Sequence, residues 1–194
     1  MEMTDEVMEI KPFIEPSKNF LIKGRKSSHT ILNFWRWAYS GLLQNITRGV
    51  LAEYIVAWAL ELDRIPRQPW DAFDLKTKDG RRIEVKSSAY VQAWESKRPN
   101  PQFIIKPRKT WESNGLTKEA EFNADIYVLC YLKEKDLTKI NPMNLDQWMF
   151  WIFSRAEIIN LLQGKASISV AALQNKKLDA IKFEKLKVIF YKKQ

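Results

Sequence analysis

Apolar positions at Ile31, Phe34, Trp35, Ala38 and Leu42 keep the spacing of one helical face, which predicts a helix from about His29 to Leu43 with Ser28 as its cap. A second helix is expected from Arg48 to about Leu62, with Thr47 as its N-cap. From Gly49 to Leu60 that helix carries one charge, Glu53. Val50, Leu51, Tyr54, Ile55 and Trp58 form a broad apolar face, and Val56, Ala57 and Leu60 cover the rest, as in a buried helix. A carboxylate inside such a helix needs a partner, because an unpaired buried charge is very costly. The partner is either a basic side chain, with Arg48 nearby, or a metal ion.

After Pro66 and Pro69 the pattern switches to alternation. Asp71–Leu75 and Arg81–Ser88 read as two strands around Lys78-Asp79-Gly80, and Asp-Gly between alternating segments signals a hairpin. Phe103–Ile105 is expected as a third strand and Trp148–Phe153 as a fifth. Between them Asp125–Leu132 is apolar without interruption, as in a central buried strand. A helix over Arg155–Leu162 ends at Gly164, a short helical turn follows at Ser169–Leu173, and Lys187–Tyr191 reads as a last strand. Residues 1 to 25 are read as an irregular, proline-containing arm. Residues 26–194 are read as one α/β domain with a mixed central β-sheet flanked by helices.

Composition narrows the chemistry. The 194 residues, 45% hydrophobic, suit one domain with a sizeable core. The polar start is unlike a signal peptide, and the longest apolar run, Tyr54–Leu60, is too short to span a bilayer, so no membrane partner and a cytoplasmic location are expected. The single cysteine, Cys130, excludes an internal disulfide and falls in the buried strand as a packing residue. The single histidine, His29, excludes zinc sites built on several His or Cys ligands, and nothing around it forms a triad. Hard-cation chemistry must therefore use carboxylates, which points to Mg²⁺ with Mn²⁺ able to substitute. A net charge of +9, with basic residues gathered at Lys106-Pro107-Arg108-Lys109 and in the lysine-rich tail, suits a polyanionic partner such as nucleic acid as well as it suits an ordinary solvated surface.

The hairpin then becomes informative. With a three-residue loop and Gly80 left-handed, Thr77 pairs with Arg81, and Asp74 lies opposite Glu84 with Cβ atoms ~5 Å apart. Lys86 shares that face, while Ile83 and Val85 point into the core. A two-residue loop would break the constellation. Asp74 and Glu84 can each give Mg²⁺ an oxygen, the Val85 carbonyl another, and Lys86 can orient water or stabilise developing charge on a phosphate. Taken alone, Glu84-Val85-Lys86 is also the pattern of a common surface ion pair.

Asp74, nine residues, then Glu84-Val85-Lys86 resembles the PD-(D/E)XK nuclease superfamily, the restriction-endonuclease-like fold. The string Ile83 to Trp94 is similar to a bacterial and phage branch of it, and Arg48-Gly49-Val50-Leu51-Ala52-Glu53 to that branch's first core helix. The likeness extends more loosely through Asp125–Val128 and Trp148–Phe150. It implies a Mg²⁺-dependent endonuclease acting on double-stranded DNA, of restriction or phage-defence type, with Asp74 and Glu84 as metal ligands and Lys86 as catalytic lysine. Glu53 would reach the metal directly or through water. Ser88 and Gln92 continue the strand parity of Glu84 and Lys86, so they either line the site or form a polar strand edge. Lys106, Arg108 and Lys109, with Trp94 and Trp111, are the candidate DNA contacts. One site per chain implies a homodimer for cutting both strands. The sequence departs from the pattern at Phe73, where proline often precedes the aspartate, so Asp71 is a rival ligand. A non-catalytic DNA-binding or assembly module and a structure-specific repair or recombination nuclease are the alternatives.

Overall fold

The computed structural model describes residues 12–67, 72–91, 100–109, 111–112, 115–116 and 119–193. A β-ribbon, β1 (Asn19–Ile22) and β2 (Arg25–Thr30), leads into α1 (Ile31–Tyr39) and α2 (Asn45–Ala59). Then follow β3 (Leu75–Lys76), β4 (Arg82–Ala89), β5 (Gln102–Ile104), β6 (Trp111–Glu112), β7 (Gly115–Leu116), β8 (Ile126–Leu132) and β9 (Trp148–Ser154). The chain closes with α3 (Arg155–Leu162), β10 (Ser167–Ser169), α4 (Val170–Asn175) and α5 (Phe183–Lys192).

The central sheet has the order β3-β4-β8-β9. Strands β4 and β8 run parallel and the other neighbours antiparallel, so the sheet is mixed. Every residue of β8 is buried, as its unbroken apolar run predicts. One face of the sheet (Ile83, Val85, Val128, Cys130, Phe150) packs on Ala52, Ile55 and Val56 of α2 and on Leu186 and Phe190 of α5. The other (Tyr127, Leu129, Tyr131, Trp151, Phe153) packs on α3, α4 and the β5–β10 pair. Asp125 ties the entry of β8 to both neighbours: it accepts from the Arg82 amide and guanidinium and pairs with Arg155. Cys130 is fully buried, and burial pushes its thiol well above the usual range, consistent with a packing role. Among the described residues no helix is long and apolar enough to cross a membrane.

Several expectations are corrected. Residues 19–30 are a β-ribbon, so Ser28 and His29 lie in β2 and the first helix begins at Ile31, with the Asn33 side chain accepting from the Thr30 amide at 2.8 Å. The second helix starts earlier, at Asn45; Thr47 is inside it and donates through Oγ1 to the Gly41 carbonyl. That helix is not buried all round, since Tyr54 and Trp58 are about half exposed. Phe103–Ile104 belongs to β5, which pairs with β10 outside the central sheet. The tail is a helix where a strand is expected. Phe183, Leu186 and Phe190 follow an i, i+3, i+7 spacing that buries Leu186 and Phe190 completely, while the interleaved lysines face water. Phe190→Ala should therefore cost about 3–5 kcal/mol, read as a lower urea midpoint; a strand edge in solvent would cost little.

The 155–164 segment behaves as expected. Ser154 Oγ accepts from the Glu157 amide, the Glu157 carboxylate accepts from the Ser154 amide, and the chain leaves the helix through left-handed Gln163 and Gly164.

Candidate active site

The hairpin places the site. Thr77 N–H donates to the Arg81 carbonyl at 2.9 Å, Gly80 N–H to the Thr77 carbonyl at 3.0 Å, and Gly80 has φ +89°. This is the three-residue loop with a left-handed glycine. Leu75 pairs with Ile83 and Lys76 with Arg82, the register that the Asp-Gly turn predicts. A Cβ at Gly80 would meet nothing within 4 Å, so Gly80→Ala should cost only the left-handed backbone penalty, about 1–2 kcal/mol in a melting experiment.

One residue further the ladder ends. Asp74 N–H bonds to the Ile83 carbonyl at 2.9 Å instead of pairing with Glu84, and the Asp74 carboxylate accepts from the Val85 amide at 2.7 Å. Asp74 thus lies at the open edge of β4, against the Glu84–Lys86 segment, having left the strand register that would set it directly across from Glu84. The reason is the length of β3, which is two residues long and leaves Val85 N–H without a strand partner.

Glu84 is buried, although its side chain is charged. Lys86 Nζ donates to Glu84 Oε1, and Arg108 Nη2 lies 3.2 Å from the same oxygen. Beside Glu84 on β8 stands Tyr127, whose phenol is pushed up to about 12, chiefly by burial. Glu53 projects from α2 and is held by Arg67, Nε on one oxygen and Nη2 on the other at 2.9 Å. Arg48, the partner considered from sequence, is itself buried and turns to the Leu43 carbonyl and the Asn45 side chain. Glu53, Arg67 and Asp74 share the wall of a cavity of about 630 Å³, whose apolar side is formed by Trp35, Tyr39, Tyr54 and Phe73.

Asp74 senses the other two carboxylates. Burial raises the Asp74 carboxyl from 3.8 to about 7, with repulsion from Glu84 and Glu53 adding to it and the Val85 amide and Lys86 opposing it. Asp74, Glu84 and Glu53 are accordingly the oxygen donors available here to a hard cation. Among the described residues, however, no three His, Cys, Asp or Glu side chains face one another as a ready cage. Glu84 is turned to Lys86 and Arg108, and Glu53 to Arg67.

The model of the family described as bacteriophage T4 endonuclease IV matches residues 2–169. The chain belongs to that family. Among curated proteins no match is found. The span matched by the endonuclease IV family runs from before the β-ribbon to β10 and includes Glu53, Asp74, Glu84, Lys86 and Arg108.

Of the other positions singled out in the sequence, Ser88 is buried on β4 beside Tyr131. Lys106 and Lys109 are exposed. Gln92, Asp71 and Trp94 lie outside the described residues, as does the side chain of Trp111. Two site residues escaped the sequence reading: Arg67 altogether, and Arg108 in its contact with Glu84. Arg67 is 14 positions from Glu53, beyond the end of α2, and no local pattern marks such a pair. Arg108 sits in a basic run that reads as surface, while its side chain turns back onto the site.

Proposed function

We propose that the chain is a magnesium-dependent endonuclease that hydrolyses DNA phosphodiester bonds at a site of the PD-(D/E)XK kind, on a restriction-endonuclease-like sheet. The observation that carries this reading is Asp74: a half-buried carboxyl raised to about 7 among two further carboxylates, one of which holds the Lys86 ammonium. A perturbed carboxyl beside further carboxylates and a lysine is the pattern of a functional site. Membership of the endonuclease IV family supplies the reaction class, and a net charge of +9 suits a nucleic-acid substrate.

The donor chemistry fits Mg²⁺, which takes carboxylate and carbonyl oxygens and keeps several waters, and Mn²⁺ should substitute. Asp74 and Glu84 would hold the ion with the Val85 carbonyl, and Glu53 would support it directly or through water. When bound, the ion acidifies a water and neutralises phosphate charge. The chain's own groups do the rest. Lys86 presents an ammonium at the carboxylate cluster, where it can orient the attacking water or stabilise charge building on the phosphate. Glu84, accepting from Lys86 Nζ, holds that side chain in place. The Val85 amide fixes the Asp74 carboxylate.

The test is cleavage of supercoiled plasmid and of single-stranded circular DNA in Mg²⁺, Mn²⁺ and EDTA, with Asp74→Asn and Lys86→Ala alongside. Cleavage in either metal, absent in EDTA and lost in both variants, is expected. Equal residual nicking by wild type and variants would defeat the assignment. Metal-independent DNA binding without cleavage would instead favour a non-catalytic module.

A further inference from the structure

Arg108 is built into the site more firmly than its sequence neighbours are. Its amide donates to the Glu121 carbonyl at 2.8 Å, and its carbonyl accepts from the Glu121 amide at 3.0 Å and the Asn123 side chain at 3.3 Å. This isolated bridge fixes the backbone from which the side chain reaches Glu84. The guanidinium side chain is 56% exposed, whereas the Glu84 carboxylate it touches is 6% exposed. One edge of the fork thus rests on a buried carboxylate and the remainder faces solvent.

Glu84 Oε1 already receives the Lys86 ammonium. Two cations therefore meet on one carboxylate oxygen. A planar guanidinium, more than half exposed and pinned beside a buried carboxylate, suits the oxygens of a phosphodiester. We infer that Arg108 is a phosphodiester-binding residue that exchanges partners. In the free protein it occupies Glu84; when the DNA backbone enters, it moves to a phosphate oxygen and leaves Glu84 to the metal. The exchange rests on the nuclease reading of the site. It requires substrate and metal to bind with positive coupling, each raising the other's affinity by the same factor.

Arg108→Gln and Arg108→Lys test it. Free Mn²⁺ is titrated by electron paramagnetic resonance, with and without a phosphorothioate oligonucleotide that resists cleavage. Oligonucleotide binding is also measured against salt in EDTA. Wild type should bind Mn²⁺ more tightly when the oligonucleotide is present. Arg108→Gln removes a competitor for Glu84, so alone it should bind Mn²⁺ about threefold more tightly. It should also lose most of the coupling, reduce the salt slope by about 1 and cleave ~10²–10³-fold more slowly. Tighter metal binding with slower cleavage is a combination that a merely structural contact would not produce. Arg108→Lys keeps the charge, so it should keep the salt slope while losing about tenfold in cleavage. This second variant keeps the idea testable if Arg108→Gln folds poorly. A wild type that binds Mn²⁺ and cleaves, with an Arg108→Gln of unchanged slope, coupling and metal affinity, would overturn the exchange alone. A wild type that neither binds Mn²⁺ nor cleaves would overturn the nuclease reading and the exchange with it.

Discussion

Asp74→Asn is expected to abolish cleavage and, at the same time, to stabilise the metal-free protein above pH 7. Burial and the nearby Glu84 and Glu53 carboxylates raise the Asp74 carboxyl from 3.8 to about 7. A carboxyl raised in the folded state favours folding while protonated. Its contribution is complete below the unfolded value near 4 and is lost as pH rises through about 7. Asparagine is neutral throughout and still offers an oxygen to the Val85 amide. The variant should therefore match wild type near pH 4 and exceed it increasingly toward pH 8, by at most about 4 kcal/mol. Melting curves in EDTA at pH 4, 6 and 8 measure this. Adding Mg²⁺ should reverse the order at pH 8, because only wild type gains stability from the ion. Superimposable pH profiles in EDTA would mean that Asp74 is not the strained charge of the site.

The second large effect is at Lys86. Lys86→Ala should lower cleavage at saturating Mg²⁺ by about 10³-fold, the scale of losing one preorganised charge-stabilising donor. The fold should survive, because Glu84 keeps Arg108 as a partner. Lys86→Arg keeps the charge but not the compact ammonium, and should recover only part of the rate. Cleavage kinetics at several metal concentrations separate the two roles available to Lys86. A loss that high metal repairs would make Lys86 an aid to metal binding. A loss that persists at saturation places it in the chemical step. Unchanged cleavage in Lys86→Ala would remove Lys86 from the mechanism.

What the sequence disclosed depended on the range of the interaction. The hairpin register was legible because Asp79-Gly80 and the flanking alternation specify it within a dozen residues, and Thr77–Arg81 closes as expected. The central position of β8 was legible because a strand covered on both faces cannot carry polar alternation. Helix α5 was misread because Lys187–Tyr191 resembles a strand in a short window; the spacing of Phe183, Leu186 and Phe190 over a longer one distinguishes it. At the site, the hairpin carboxylates and Lys86 are near in sequence and could be grouped by register. The arginines that occupy Glu53 and Glu84 come from 14 and 24 positions away, where pairing is decided by tertiary packing alone. The departure of Asp74 from the ladder was equally invisible, since it follows from β3 stopping at Leu75.

The short β3 has a consequence for life in solution. Past Leu75 the rim of the sheet would present the Val85 amide to any extended peptide, the usual starting point for intermolecular strand addition. The Asp74 carboxylate covers that amide, and its partial negative charge repels the carbonyl oxygens an incoming strand would offer. The same side chain that would offer an oxygen to a cation therefore guards this rim against other polypeptides, so the edge can stay open without inviting aggregation.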